Sequence, residues 1–141
     1  MTTFRTSREI PAKPSAVFAA FADPSRLATW WGPQGFSNTI HSFDFRPGGR
    51  WTFTMHGPDG RSFPNECLFS AILADEKIVI QHQSQPQFEL TLRLQESATG
   101  TLVTWEQAFA DPSVASAIRA IVEPANEQNL DRWTEVVLGR P

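Results

Sequence analysis

A chain of 141 residues with 40% hydrophobic and 19% charged side chains can build one core but not two, and its composition excludes a disordered protein. The net charge of -3 and a pI near 5.6 oppose a nucleic-acid role, which requires a basic face. One cysteine, Cys67, excludes an internal disulfide and suits a reducing cytoplasm, and with no apolar run of ~18 residues neither a signal peptide nor a membrane span is expected.

The chain opens with a loosely alternating segment, Thr2 to Ile10, that predicts a first strand ended by Pro11. Lys13-Pro14-Ser15 starts a helix carrying Val17, Phe18 and Phe21 on one stripe. Asp23-Pro24-Ser25 stops it and caps a second short helix, with Leu27, Trp30 and Trp31 inward and Gly32-Pro33 as its end. From Phe36 the period becomes two. His41, Phe43 and Phe45 are expected to share a face, and Pro47-Gly48-Gly49 turns the chain. Trp51, Phe53 and Met55 then line one side of a strand, with Thr52, Thr54 and His56 on the other.

Gly57-Pro58-Asp59-Gly60 predicts a hairpin turn. Asn65 to Ala74 reads as a strand of ambiguous facing, a natural place for a bulge. Ile78, Val79 and Ile80 begin another strand running to Gln83. Phe88, Leu90, Leu92 and Leu94 alternate with polar residues on the next, and after the Ala98-Thr99-Gly100 turn Val103, Trp105 and Phe109 face inward.

Asp111-Pro112-Ser113 caps a terminal helix with Val114, Ala117, Ile118, Ile121 and Val122 on one face. Glu123-Pro124 is expected to break it between Val122 and Ala125, because proline removes a helical hydrogen bond and crowds the preceding turn. A longer helix with Pro124 in its first turn then carries Leu130, Trp133 and Val137. About six antiparallel strands and one long helix with wide apolar faces imply an α+β domain in which a curved sheet wraps the helix.

Several of these stretches together resemble one family. They are Asp23-Pro24 with Trp30-Trp31-Gly32-Pro33, Phe43 to Trp51, Met55 to Gly60, and Asn129-Leu130-Asp131-Arg132. The chain resembles the bacterial homologues of the activator of heat-shock-protein-90 ATPase (AHSA-like), of the START-like or SRPBCC superfamily, from about Arg8 to Val137. The resemblance implies a helix-grip (Bet v-like) fold and a hydrophobic cavity between sheet and terminal helix. It implies no shared reaction, since one fold hosts many functions. Pro124 and Asn126 depart from the residues usual in such sequences.

The cavity implied by the resemblance would be walled by Trp31, Phe43, Trp51, Phe53, Met55, Phe88, Trp105, Ile118 and Val122, with Glu66 or His82 as a polar contact. The set of 11 Phe and 5 Trp, with no Tyr, supplies roughly 150–250 Å² of burial per ring, enough to wall a cavity or fill it. His41 and His56 match no zinc spacing, and no metal or other cofactor is expected. Glu106 reads as a solvated outward carboxylate and Glu123 as a charge stabilising the start of the second helix. Cys67 reads as a small buried hydrophobe, and no nucleophile-elbow, phosphate-loop or dinucleotide motif occurs.

The reading is a cytoplasmic binding domain for a small hydrophobic or aromatic ligand, monomeric or homodimeric, with no nucleic-acid or membrane partner. Two alternatives stand beside it: a co-chaperone-like regulator of the heat-shock ATPase, and a cyclase- or hydrolase-type enzyme using a polar residue in the cavity.

Overall fold

The computed structural model describes residues 2–140. The strands are β1 (Thr2–Ile10), β2 (Ser37–Phe43), β3 (Arg50–His56), β4 (Ser62–Leu73), β5 (Lys77–His82), β6 (Phe88–Ser97) and β7 (Gly100–Phe109). The helices are α1 (Pro14–Ala22), α2 (Pro24–Trp30) and α3 (Pro112–Val137). All seven strands form one antiparallel sheet in the order β1-β7-β6-β5-β4-β3-β2, so every pair but β1–β7 joins chain neighbours. The α1–α2 segment carries the chain from one edge of the sheet to the other. α3 crosses the inner face, touching α1, α2, β1 and β7. This is the helix-grip arrangement.

Two bulges decide which side chains face inward. In β2 the register slips between Ile40 and Ser42. Ile40 thus opposes Phe53 and Phe43 opposes Trp51, while His41 turns outward, its Nε2 2.8 Å from the Thr54 hydroxyl. The expected common face of His41, Phe43 and Phe45 is corrected by that extra residue, since one residue reverses the parity of a strand. In β4 the slip falls between Phe69 and Ala71, inside the stretch of ambiguous facing. There Cys67 and Phe69 are inward and buried, and Glu66 points out, 3.8 Å from Arg50.

The expected break in the terminal helix is also corrected. α3 is one helix of 26 residues with Pro124 in its interior. The N–H that proline lacks would have bonded the Ala120 carbonyl, and both residues are exposed, so water can satisfy the freed oxygen. Glu123 therefore sits in mid-helix rather than at a helix start, 4.0 Å from Arg119 one turn earlier. Asp111 caps the true start. Its carboxylate accepts from the Ser113 hydroxyl at 2.7 Å and the Ser113 N–H at 2.9 Å, which holds its pKa below the ordinary value.

The second half of α3 is locked down by tryptophan. Trp133 stacks on Trp30 with centroids 4.7 Å apart. Each indole N–H donates to an α1 carbonyl, Trp133 to Val17 at 3.1 Å and Trp30 to Ala20 at 3.0 Å. Phe21, Phe43, Phe45, Trp51 and Phe69 interlock beside them at centroid separations of 5.1–6.3 Å. The short helices thus plug one end of the sheet with close-packed aromatics. The first half of α3 covers only the small cluster of Phe4, Phe109 and Ala115, with Phe88, Ile118 and Val122 at its margin. Between the plug and that cluster the sheet face is not filled.

Candidate functional site

A cavity of about 530 Å³ occupies the unfilled stretch, within the size range of small-molecule sites. Its floor is the inner face of the sheet: Phe53 and Met55 of β3, Cys67 of β4, Ile80 of β5, Leu90 of β6 and Trp105 of β7. Trp31, Gly32, Pro33 and Phe36, in the connection from α2 to β2, form one wall. The opposite wall is the β5–β6 connection with Gln85, Pro86 and Phe88. Asn126 and Asn129 of α3 form the roof, with Gln107 of β7 beside them.

Of the residues expected to line a cavity, Trp31, Phe53, Met55, His82, Phe88 and Trp105 do so. Phe43 and Trp51 do not: they belong to the aromatic plug, Trp51 stacked against Phe53 at 4.4 Å. Glu66 is on the outer face. Ile118 and Val122 pack toward Phe4 and Phe109, because an unbroken α3 carries its first half away from the hollow. The sequence reading missed Gln107, Asn126 and Asn129, which are buried polar side chains in the lining. A signal was present: Gln107 shares strand parity with Trp105, and Asn126 and Asn129 share the helical stripe of Leu130 and Trp133.

Local geometry holds the mouth open in one shape. Arg132 donates to the carbonyls of Gly32 and Pro33 at 2.8 Å, Thr29 at 2.9 Å, Phe36 at 3.0 Å and, more weakly, Trp31 at 3.4 Å. The guanidinium therefore satisfies the carbonyl end of α2, where a cation is also favoured by the helix dipole. One turn back along α3, Asn129 Oδ1 accepts from the Gly32 N–H at 2.8 Å. Gly32 has φ +97°, and a Cβ there would lie 2.7 Å from Met55 Cε. Trp31-Gly32-Pro33 and Asn129 to Arg132 are thus two halves of one clasp.

His82 is buried on the opposite wall. Its ring stacks on Phe88 at 4.4 Å, Nδ1 stands 2.8 Å from the Pro86 carbonyl, and Nε2 lies 2.6 Å from the Asn65 carboxamide. Burial lowers its pKa and outweighs the Pro86 bond, which favours the neutral ring. Cys67 stands directly across the β4–β5 pair from His82, a juxtaposition that invites a thiol–imidazole reading. The chemistry opposes it. Both imidazole nitrogens are engaged elsewhere, and burial pushes the Cys67 thiol up to about 12, where no useful thiolate exists at neutral pH.

Glu106 pairs with Arg5 of the neighbouring strand at 3.2 Å, away from the cavity. His56 stands between Thr39 and Ser62 among exposed groups, so the three imidazoles do not converge. Among the described residues no three His, Cys, Asp or Glu side chains gather as a metal site would require. Among them, too, no helix is long and apolar enough to cross a membrane.

Comparison with known proteins puts these features in a family. No curated protein matches the sequence. Among solved structures, a Chromobacterium violaceum protein is 22% identical with TM-score 0.86, over 96% of this chain and 97% of that one. An Arthrobacter aurescens protein is 21% identical with TM-score 0.89, over 97% and 86%. An AHSA1-like protein from Aeromonas hydrophila is 20% identical with TM-score 0.80, over 98% and 93%. Likeness at such identity shows the fold. The family model described as "Activator of Hsp90 ATPase homolog 1-like protein" matches residues 11–137, and with nearly the whole sequence so covered, the chain belongs to that family.

Proposed function

We propose that this domain binds an uncharged small molecule with a large apolar or aromatic surface. One observation carries the reading: no Asp, Glu, Lys or Arg is among the residues lining the 530 Å³ cavity. Burial favours the neutral form of the two titratable side chains that do line it, lowering the pKa of His82 and raising that of Cys67. An ionised ligand entering such a cavity would lose its hydration and gain no counter-charge, at a cost of several kcal/mol. A neutral aromatic would meet Trp31, Phe53, Phe88 and Trp105 and lose little.

The test pairs two dyes of one skeleton, neutral N-phenylnaphthylamine and its sulfonated relative anilinonaphthalenesulfonate. Trp31 and Trp105 serve as fluorescence reporters at the cavity wall. The neutral dye is expected to saturate at one per chain and to bind at least about tenfold tighter than the sulfonate. Equal affinity, or preference for the sulfonate, overturns the reading. The family's description also suggests a role beside a chaperone ATPase, which would be supported by a saturable complex with the purified ATPase in the absence of any dye-binding activity.

A further inference from the structure

We infer that the α3 side of the cavity binds a neutral carbonyl oxygen (of a ketone, ester or amide) on a ligand that is otherwise apolar. The inference rests on the proposed small-molecule function and narrows its ligand class. Three carboxamides stand in that wall, Gln107 on β7 with Asn126 and Asn129 on successive turns of α3. Their exposures are 8%, 6% and 6%, so each is more than nine-tenths buried.

Their mutual bonds leave donors over. Asn126 Nδ2 donates to Gln107 Oε1 at 3.0 Å, and Asn129 Oδ1 accepts from the Gly32 N–H at 2.8 Å. Among the described residues, Gln107 Nε2 and Asn129 Nδ2 then have no protein acceptor. Neither nitrogen is sealed into packing, in contrast to the indole nitrogens of Trp51 and Trp105, and both residues open on the cavity.

The Asn129 donor does not depend on how the amides are oriented. A backbone N–H can only donate, which fixes Asn129 with its Nδ2 free. Exchanging nitrogen and oxygen in both Gln107 and Asn126 would reverse their bond and pass the free N–H from Gln107 to Asn126. Asn126 also borders a small groove of about 90 Å³ near Phe4 and Thr6, so the inference rests first on Asn129, with Gln107 beside it.

Amide donors that open on a cavity are met by water when it is empty, and a bound group gains by replacing that water only if it supplies an acceptor. The complement must be an acceptor. It must also be neutral, since no cation in the wall could compensate a carboxylate. A carbonyl oxygen, with two lone pairs and modest hydration, meets both conditions.

The test uses three probes on one ring system: acetylnaphthalene, ethylnaphthalene and naphthoate. Wild type is expected to bind the ketone about five- to tenfold tighter than the hydrocarbon, and the carboxylate weakest of the three. Asn129→Asp keeps the acceptor for Gly32 and removes the free donor; Gln107→Met removes the other. Each is expected to bring the ketone and hydrocarbon affinities within about twofold of each other, with the ratio as the readout and circular dichroism reporting that the variant is folded.

Equal affinity for ketone and hydrocarbon in wild type overturns the inference even if neither variant folds. So does a ratio that survives in both variants, or tightest binding of naphthoate. Failure of all three probes to bind overturns the small-molecule function itself, and is thereby distinguished from failure of the carbonyl subsite alone.

Discussion

Arg132→Met tests the clasp at the cavity mouth. Methionine keeps an unbranched apolar stem and deletes the guanidinium, so the change isolates the hydrogen bonds. Three part-buried bonds, to Gly32 and Pro33 at 2.8 Å and Phe36 at 3.0 Å, lose a donor that nothing else replaces. The Thr29 bond is exposed and the Trp31 contact is 3.4 Å long, so water covers the first and little is lost at the second. At about 1 kcal/mol for each of the three, discounted from the value for a fully buried charged donor, the expected destabilisation is about 3 kcal/mol. For a domain of this size that lowers Tm by roughly 10 °C. Thermal unfolding followed by circular dichroism measures it, with Arg132→Lys in parallel. Lysine restores the charge at the end of α2 but not the fork reaching several carbonyls, and should recover less than half of the loss. A methionine variant within 1 kcal/mol of wild type would refute the clasp. Full recovery by lysine would show that only the charge matters.

Three further outcomes follow from the same geometry. Gly32→Ala is expected to cost about 1–3 kcal/mol in chemical unfolding, because φ +97° is unfavourable for a residue with a Cβ and Met55 must move; an unchanged denaturation midpoint would contradict it. His82 has a folded pKa below its ordinary 6.5, so between those values the unfolded chain binds more protons and stability is lost as pH falls from 6.5 through that window. Urea midpoints at about pH 7.5 and 5.5 should differ in wild type and differ less in His82→Gln; parallel behaviour of the two would exclude His82 as the source. Cys67, 3% exposed with its thiol pushed up to about 12, should resist an aromatic disulfide reagent in the native protein and react at once in urea. Native labelling at the rate of a free thiol would show that the β4 wall opens.

Much of this architecture is legible in the chain because the signals are local. Asp23-Pro24-Ser25 and Asp111-Pro112-Ser113 place two helix starts, the period-two run from Trp51 to Met55 sets the face of β3, and the glycine-rich turns mark the strand ends. The family resemblance assembled those pieces into the sheet-and-helix grip, and the match over residues 11–137 agrees with it.

What local signals do not carry is parity and enclosure. A one-residue bulge at His41 turns that side chain outward, and the β3–β4 register, which sets Glu66 opposite Thr52, turns Glu66 outward. Pro124 predicts a break when read alone, yet the helix runs through with Pro124 and Ala120 both on its exposed side, a fact about where the helix lies. The division of the aromatics into a packed plug and a cavity wall likewise depends on how far α1 and α2 reach across the sheet. Local sequence marks which residues are apolar and where most of the elements they form begin and end. Only tertiary structure decided which apolar and amide groups enclose empty space, since enclosure is a property of distant segments meeting and no short stretch encodes it.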